Sequence, residues 1–258
     1  MTQSDTYLLR ILQKYSPRDI SIYTYSIPKL KQELQNWANT CYLNTINSGS
    51  RAKGTAISLA SDVDFLVSLS SNCDGTLKEI YTSLYNYLTS QYTKVRKQNV
   101  SIRITIDSLQ VDVTPARKQA GITNDHSLYL SKQDSWKQTN IQKHINDVSL
   151  SGRLNEIKLT KIWRELHALD FPSIYLEYLI INIILSGKYK GNDYLAVNYY
   201  HILKEFANDF SNPLYSRVVD PSNSGNVLSD LLSASEKQKV INQAKISIKE
   251  TTWEKIVW

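Results

Sequence analysis

The sequence predicts an α+β protein: a mixed sheet with helices over residues 1–150 and a helical domain over residues 151–258, with a cleft between them. Apolar runs of strand character, Asp62–Leu69, Ser101–Ile106 and Leu109–Thr114, are confined to the first half. Apolar residues at helical spacing recur through the second. No internal repeat or low-complexity tract interrupts either half.

Taken in order, Tyr7-Leu8-Leu9-Arg10-Ile11-Leu12 opens with a short helical pattern, and a Tyr/Ser-rich connection follows. Pro28 suits the first turn of a helix. From there Leu30, Leu34, Trp37 and Cys41 fall on one helical stripe, and this helix is expected to run straight into Gly49 and hold a Gly49-Ser50 turn against the sheet. A small-residue loop containing Lys53-Gly54-Thr55 leads to the first strand. Alternate side chains leave a strand on the same face, so Asp62 and Asp64 project together while Val63 points into the core.

Ser70–Gly75 reads as a loop, and Leu77, Ile80, Leu84 and Leu88 mark an amphipathic helix. Ser101–Ile106 alternates strictly, turns at Asp107-Ser108 and returns as Leu109–Thr114, stopped by Pro115, which is a hairpin signal. Residues 116–150, with Trp136 and His144, read as a connecting segment with little regular structure, His144 being structural or solvated. Beyond it, Leu154, Ile157, Ile162, Trp163 and Leu166 fit one helix that ends near Asp170-Phe171-Pro172. Ile174–Leu185 makes a buried helix closed by Ser186-Gly187, and Leu195, Tyr199, Ile202, Leu203 and Phe206 make a third. An irregular loop over 212–226 precedes a last helix from Ser235 to Lys249.

Composition narrows the class only mildly. The 258 residues suffice for one large domain or two small ones. Lys and Arg exceed Asp and Glu by 30 to 24, a net charge of +6. That excess suits a protein handling triphosphates without demonstrating polynucleotide binding, and an unspecialised basic surface fits it equally. Two cysteines, Cys41 and Cys73, are too few for a zinc ribbon or a disulfide framework, and Cys41 is expected as a buried thiol. The first residues lack the basic head and apolar core of a signal peptide, and the longest apolar stretch, Tyr178–Leu185, is far too short to span a bilayer. A cytoplasmic protein without a membrane partner is expected.

The chemistry concentrates in Asn47–Leu69. Two carboxylates forced side by side repel each other and resist burial unless a cation or proton compensates them, and a divalent metal does so economically. Asp112, flanked by valines on the second hairpin strand, is a third candidate ligand, or else an acid paired with a lysine. Gly49 lets backbone approach an anion and Ser50 can donate to phosphate oxygens, although a Gly-Ser pair alone is usually just a turn.

In that order, Gly49-Ser50, Asp62-Val63-Asp64 and Asp112 within Gln110-Val111-Asp112-Val113 resemble the DNA polymerase β-like nucleotidyltransferase superfamily, whose signature is a Gly-Ser turn, an Asp-x-Asp and a third acid on a neighbouring strand. A second resemblance lies in Ile157-Lys158-Leu159-Thr160-Lys161-Ile162-Trp163-Arg164 followed by Phe171-Pro172-Ser173-Ile174-Tyr175-Leu176-Glu177. It is similar to the helix-turn-helix core of the branch containing oligoadenylate synthetase, cyclic GMP-AMP synthase and the bacterial CD-NTases. Asp220-Pro221-Ser222-Asn223-Ser224-Gly225-Asn226-Val227 also resembles the element before that branch's terminal helix.

The resemblance implies a palm with a C-terminal helical domain and an active-site cleft between them. It implies a metal-dependent nucleotidyltransferase that condenses NTPs, ATP among them, into a cyclic or short linear oligonucleotide second messenger with release of pyrophosphate, in bacterial antiphage signalling through a nucleotide-responsive downstream effector. Asp62, Asp64 and Asp112 become catalytic ligands of two Mg²⁺ or Mn²⁺ ions, and Gly49, Ser50, Lys161 and Ser173 hold the nucleotide's phosphates. Lys161 also reads as a solvated lysine on an amphipathic helix, and Ser173 as an ordinary N-cap compatible with anion binding. The pattern departs from the branch at Ile174, where a base-stacking aromatic often follows the serine; Tyr175 comes one residue later. The alternatives are nucleotide transfer to a tRNA or other RNA end, a protein or a small-molecule hydroxyl, or a non-catalytic nucleotide-binding module.

Overall fold

The computed structural model describes residues 1–60 and 62–258. The chain forms two compact units, one of Arg18–Lys53 and Ser61–Ile145, the other of Met1–Pro17, Gly54–Ala60 and Asn146–Trp258. The expected division after residue 150 is a single cut, whereas here the amino-terminal helix and the loop after Lys53 belong with the helical unit. A linear reading cannot express that exchange of segments.

The first unit is the mixed sheet. After α2 (Ser26–Ala38) come β1 (Tyr42–Ser48), the single turn α3 (Gly49–Ala52), β2 (Val63–Leu69), α4 (Leu77–Gln91), β3 (Val95–Lys97), β4 (Ile102–Ile106) and β5 (Leu109–Lys118). The hairpin β6 (His126–Leu130) and β7 (Ser135–Thr139) completes it. Strand order is β1-β2-β5-β4-β3, with β6 on the far end of β5 and β7 beside β6. Only the β2/β5 pairing is parallel among these strands; the others are antiparallel.

Period-2 alternation divides the sheet's two faces. Val63, Phe65 and Val67 of β2, Ile102 and Ile104 of β4, and Val111 and Val113 of β5 pack with Leu30 and Leu34 of α2 and Leu84 and Leu88 of α4. Their alternates, Asp64, Arg103 and Asp112, leave by the opposite face. The α4 stripe forms as its spacing predicts, and Thr76 starts the helix with a capping box to Glu79, which satisfies two otherwise open donors.

Four sequence expectations are corrected here. The helix from Pro28 does not reach Gly49, because it ends at Ala38 and β1 intervenes. Tyr42-Leu43-Asn44-Thr45-Ile46-Asn47-Ser48 carries too few apolar residues to announce a strand; it is an edge strand held by pairing to β2. Residues 116–150 are not irregular: they contain the end of β5, the β6/β7 hairpin and α5 (Ile141–Ser149). Pro115 does not stop β5, since it falls between Val113, the last residue paired with β4, and Arg117, the first paired with β6, where that side demands no donor. Finally, Cys41 is not a free thiol but forms a disulfide with Cys73.

The second unit contains α1 (Gln3–Lys14), α6 (Leu154–Leu166), α7 (Ser173–Leu179), α8 (Leu195–Phe206) and α9 (Ala234–Ser247). The helix expected over 174–185 runs as α7 and then widens into a π-helical stretch, Ile180–Ile184. Within the loop expected over 212–226 lies a small hairpin, β8 (Val219–Asp220) and β9 (Asn223–Val227). Trp163, Tyr175, Tyr199 and Phe206 dominate the core. Their polar ends are satisfied as burial requires: Trp163 Nε1 donates to Ser247 Oγ at 3.0 Å, and the Tyr175 hydroxyl donates to the Leu214 carbonyl at 2.8 Å. No described helix is long and apolar enough to cross a membrane.

Candidate active site

The sheet register builds the site. Ser48 on β1 pairs with Asp64 on β2, Asp64 with Asp112 on β5, and Asp112 with Arg103 on β4. Four polar side chains therefore stand in one row across four strands, on the face opposite the core. Asp62 lies immediately before β2, outside the ladder, and reaches the same row.

Arg103 ties the acids together. Its Nε donates to Asp112 Oδ1 at 2.8 Å and its Nη2 to Asp112 Oδ2 at 2.7 Å, while Nη2 also donates to Asp62 Oδ2. Nη1 donates to Gln110 Oε1 at 2.9 Å, and Gln98 Nε2 adds a bond to Asp112 Oδ1 at 3.1 Å. The bonds to Asp112 hold the guanidinium pKa above the ordinary arginine value. Asp64, deeper in the row, is not compensated so well. Burial first, then the charges of Asp112 and Asp62, push its carboxyl up to about 6 against the pull of Lys53 and Arg103. Burial also raises the Asp62 carboxyl, and Arg103 draws it back.

Gly49 is explained by Asp64. Its φ is +64°, and a Cβ there would lie 1.8 Å from Asp64 Oδ2, a separation no atom tolerates. The turn after β1 therefore passes directly against the carboxylate, and Ser50 follows on α3. Beside it opens a cavity of about 390 Å³ whose lining includes Lys31, Asn47, Ser48, Arg51, Asp64 and Phe65. Sequence reading missed Lys31 and Arg51. Arg51 donates through Nη2 to the Arg18 carbonyl at 2.9 Å, yet its Nε is buried without a partner among the described residues, and burial lowers the guanidinium pKa.

The donor set suits a hard divalent cation: the three aspartates offer oxygen ligands only, and an all-oxygen set selects Mg²⁺ or Mn²⁺ over softer metals. A cation already bridges Asp62 and Asp112, the guanidinium of Arg103. With it in place, no group of three or more His, Cys, Asp or Glu side chains among the described residues is gathered closely enough to hold an ion.

The remaining expected residues belong to the helical unit. Lys161 on α6 is not a solvated lysine: it is buried and donates to Glu177 Oε1 at 2.7 Å and to Thr55 Oγ1 at 2.8 Å. Thr55 Oγ1 in turn donates to the same Glu177 oxygen at 3.0 Å. Ser173 is not the N-cap of α7, since Pro172 holds that position; its hydroxyl accepts from Arg164 Nη1 at 3.0 Å and lines a cavity of about 550 Å³. Lys158, one turn before Lys161, is half-buried with no side-chain partner among the described residues, and burial lowers its ammonium pKa. A cation desolvated without a counter-charge is the better anion receptor of the two. The helical pattern offered both lysines, and only the position of Glu177 tells them apart.

Residues 1–150 match the model of the Second Messenger Oligonucleotide or Dinucleotide Synthetase domain. The chain is 25% identical over 234 residues to a cyclic AMP-AMP-AMP synthase of Escherichia coli (strain MS 115-1), a match covering 83% of this chain and 72% of that one. Among solved structures, E. coli MS115-1 CdnC with ATP superposes with a TM-score of 0.71 at 19% identity, covering 95% of this chain and 90% of that one. The Bradyrhizobium diazoefficiens CD-NTase CdnG in complex with GTP gives a TM-score of 0.75 at 12% identity, covering 98% and 95%. These likenesses establish the nucleotidyltransferase fold.

Two stability measurements check the site's electrostatics. A carboxyl held at about 6 binds its proton more tightly folded than unfolded, so the metal-free protein loses stability as pH rises from about 4 to 6. Asp64→Asn is therefore expected to melt higher than the wild type at pH 7.5 in chelator, by on the order of 1–2 kcal/mol, with the advantage vanishing near pH 4. In the helical unit, Lys161→Met should cost about 3 kcal/mol in a denaturant titration, because Glu177 is left buried without its cation, and adding Glu177→Leu should recover most of that loss.

Proposed function

The chain belongs to the Second Messenger Oligonucleotide or Dinucleotide Synthetase family, and from that premise we propose that the row of Asp64 and Asp112, with Asp62 beside it, is the centre at which it joins nucleotides. It is a metal-dependent nucleotidyltransferase that condenses NTPs into a cyclic or short oligonucleotide messenger with release of pyrophosphate. The observation that carries the assignment of residues is the register: parallel pairing of β2 and β5 sets Asp64 directly against Asp112, and Gly49 is shaped to Asp64's carboxylate.

Each residue then has a task that its position supports. Asp62 and Asp64 would hold one Mg²⁺ or Mn²⁺, and Asp64 with Asp112 a second. Bound there, the two ions would neutralise charge on the attacking and leaving oxygens of an in-line displacement. Asp112, fixed by Arg103 and Gln98, orients the acceptor hydroxyl and takes its proton. Gly49 and Ser50 cradle phosphate oxygens through backbone N–H groups and a hydroxyl. Arg51, whose Nε is buried without a partner among the described residues, lies one residue on and adds charge to that cradle. In the helical unit Lys158 receives phosphate charge and Ser173 donates its hydroxyl, whereas Lys161 organises Glu177 and Thr55.

The acceptor is the ribose hydroxyl of another nucleotide. ATP is one substrate, in line with the synthase to which the chain is 25% identical. The product signals in the cytoplasm to a nucleotide-responsive effector as part of antiphage defence. The test is incubation of the purified chain with four labelled NTPs and Mg²⁺ or Mn²⁺, without added acceptor, beside Asp62→Asn/Asp64→Asn. Phosphatase-resistant products that disappear in the variant are expected. Label that moves only after tRNA or cell extract is added would overturn the choice of acceptor in favour of transfer to RNA or protein. A companion variant, Lys158→Ala, should weaken NTP binding about tenfold, the worth of one charge-assisted contact, while leaving the melting temperature unchanged.

A further inference from the structure

We propose that Arg103 is a built-in counter-cation that keeps the acid cluster closed to metal, and that Asp62 must be released from it before a divalent ion binds. The proposal rests on the metal-site reading given above and concerns what stands in that site beforehand.

The contacts of the guanidinium argue for exchange. Among the described residues, the Arg103 side chain bonds only within this row: Nε and Nη2 to Asp112, Nη2 to Asp62, and Nη1 to Gln110. A structural arginine buried in the same protein looks different. Arg153 caps backbone carbonyls of Leu185, Lys188 and Tyr189 besides pairing with Glu156, so it fixes the course of the chain. Among the described residues the Arg103 side chain bonds to no backbone; it neutralises side chains.

Position adds a second argument. Asp112 and Asp64 are held by the ladder, but Asp62 is not, because it precedes β2. Its side chain keeps 37% of its exposure and that of Arg103 keeps 22%, so water and ions reach the pair. Of the two carboxylates that Arg103 holds, Asp62 is thus the one outside the ladder, and it can trade one cation for another without any change in the sheet.

Charge adds a third. Three carboxylates share the site, and a single guanidinium lies between two of them while no tighter acid group is gathered among the described residues. A monovalent cation compensates this cluster incompletely, so a divalent ion arriving with a nucleotide displaces it from Asp62 and leaves it on Asp112. Without that ion, Arg103 lowers the fraction of chains ready to bind, and apparent affinity falls by that fraction. Arg103 is in this sense a positioning residue: it acts on the reaction through Asp62.

The experiment is Mn²⁺ binding without nucleotide, followed by electron paramagnetic resonance, on the wild type, Arg103→Gln and Arg103→Lys. Arg103→Gln is expected to bind Mn²⁺ about tenfold more tightly than the wild type. Arg103→Lys, which keeps the charge but cannot bridge two carboxylates, should tighten binding by less. Melting curves give an independent readout: Arg103→Gln should be less stable than the wild type in chelator and gain more on addition of Mn²⁺. Mn²⁺ binding that is unchanged or weaker in both variants, with the wild type binding normally, would overturn the proposal while leaving the metal site standing. Failure of the wild type itself to bind Mn²⁺ with or without NTP would overturn the metal-site reading, and this proposal with it.

Discussion

Placing carboxylates side by side on adjacent strands is the constraint on which the rest of this structure depends. Parallel pairing brings Asp64 against Asp112 with no freedom to separate, and like charges held so close in a partly dry site are costly. The surroundings answer that cost in several ways. Arg103 stands next in the same row, Lys53 pulls on Asp64, and the backbone at Gly49 gives up its side chain altogether so that the carboxylate fits. The elevated pKa of Asp64 shows that the compensation is incomplete. Acids held together against their own repulsion are common at functional sites, and the cation proposed to bind here would relieve that repulsion.

The same constraint orders the sheet. One face must bury Val63, Phe65, Val111 and Val113, which fixes the register, and the alternation of strands then leaves the acids no choice of face. The proposed site is thereby tied to core packing: a slip of one residue in β2 would turn Asp64 inward and disrupt both. The helical unit shows the complementary arrangement, a buried ion pair between Lys161 and Glu177 with Thr55 closing the network, while the neighbouring Lys158 has no side-chain partner among the described residues.

Much of this was legible in the sequence, and for identifiable reasons. The β4/β5 hairpin, α4, α6 and α8 follow from strong periodicity, and the three aspartates from their place in or beside apolar strands. What was not legible depended on long-range pairing. β1 is largely polar and is identified as a strand by its pairing with β2, the β6/β7 hairpin lacks an apolar stripe, and the Cys41–Cys73 disulfide joins residues 32 apart. Arg103 was visible only as a polar residue in an alternating strand. Its meaning lies in the register that sets it opposite Asp112. Likewise the choice between Lys158 and Lys161 turns on where Glu177 lies, which spacing along one helix does not report.

We propose that these aspartates form a two-ion site in which Asp112 is needed for one ion and not the other. Counting Mn²⁺ bound per chain in the presence of a non-hydrolysable ATP analogue, in the wild type and in Asp112→Asn, tests it most directly. Two ions are expected in the wild type and one in the variant, with the analogue still bound. A single ion in both, or two in both, would contradict it.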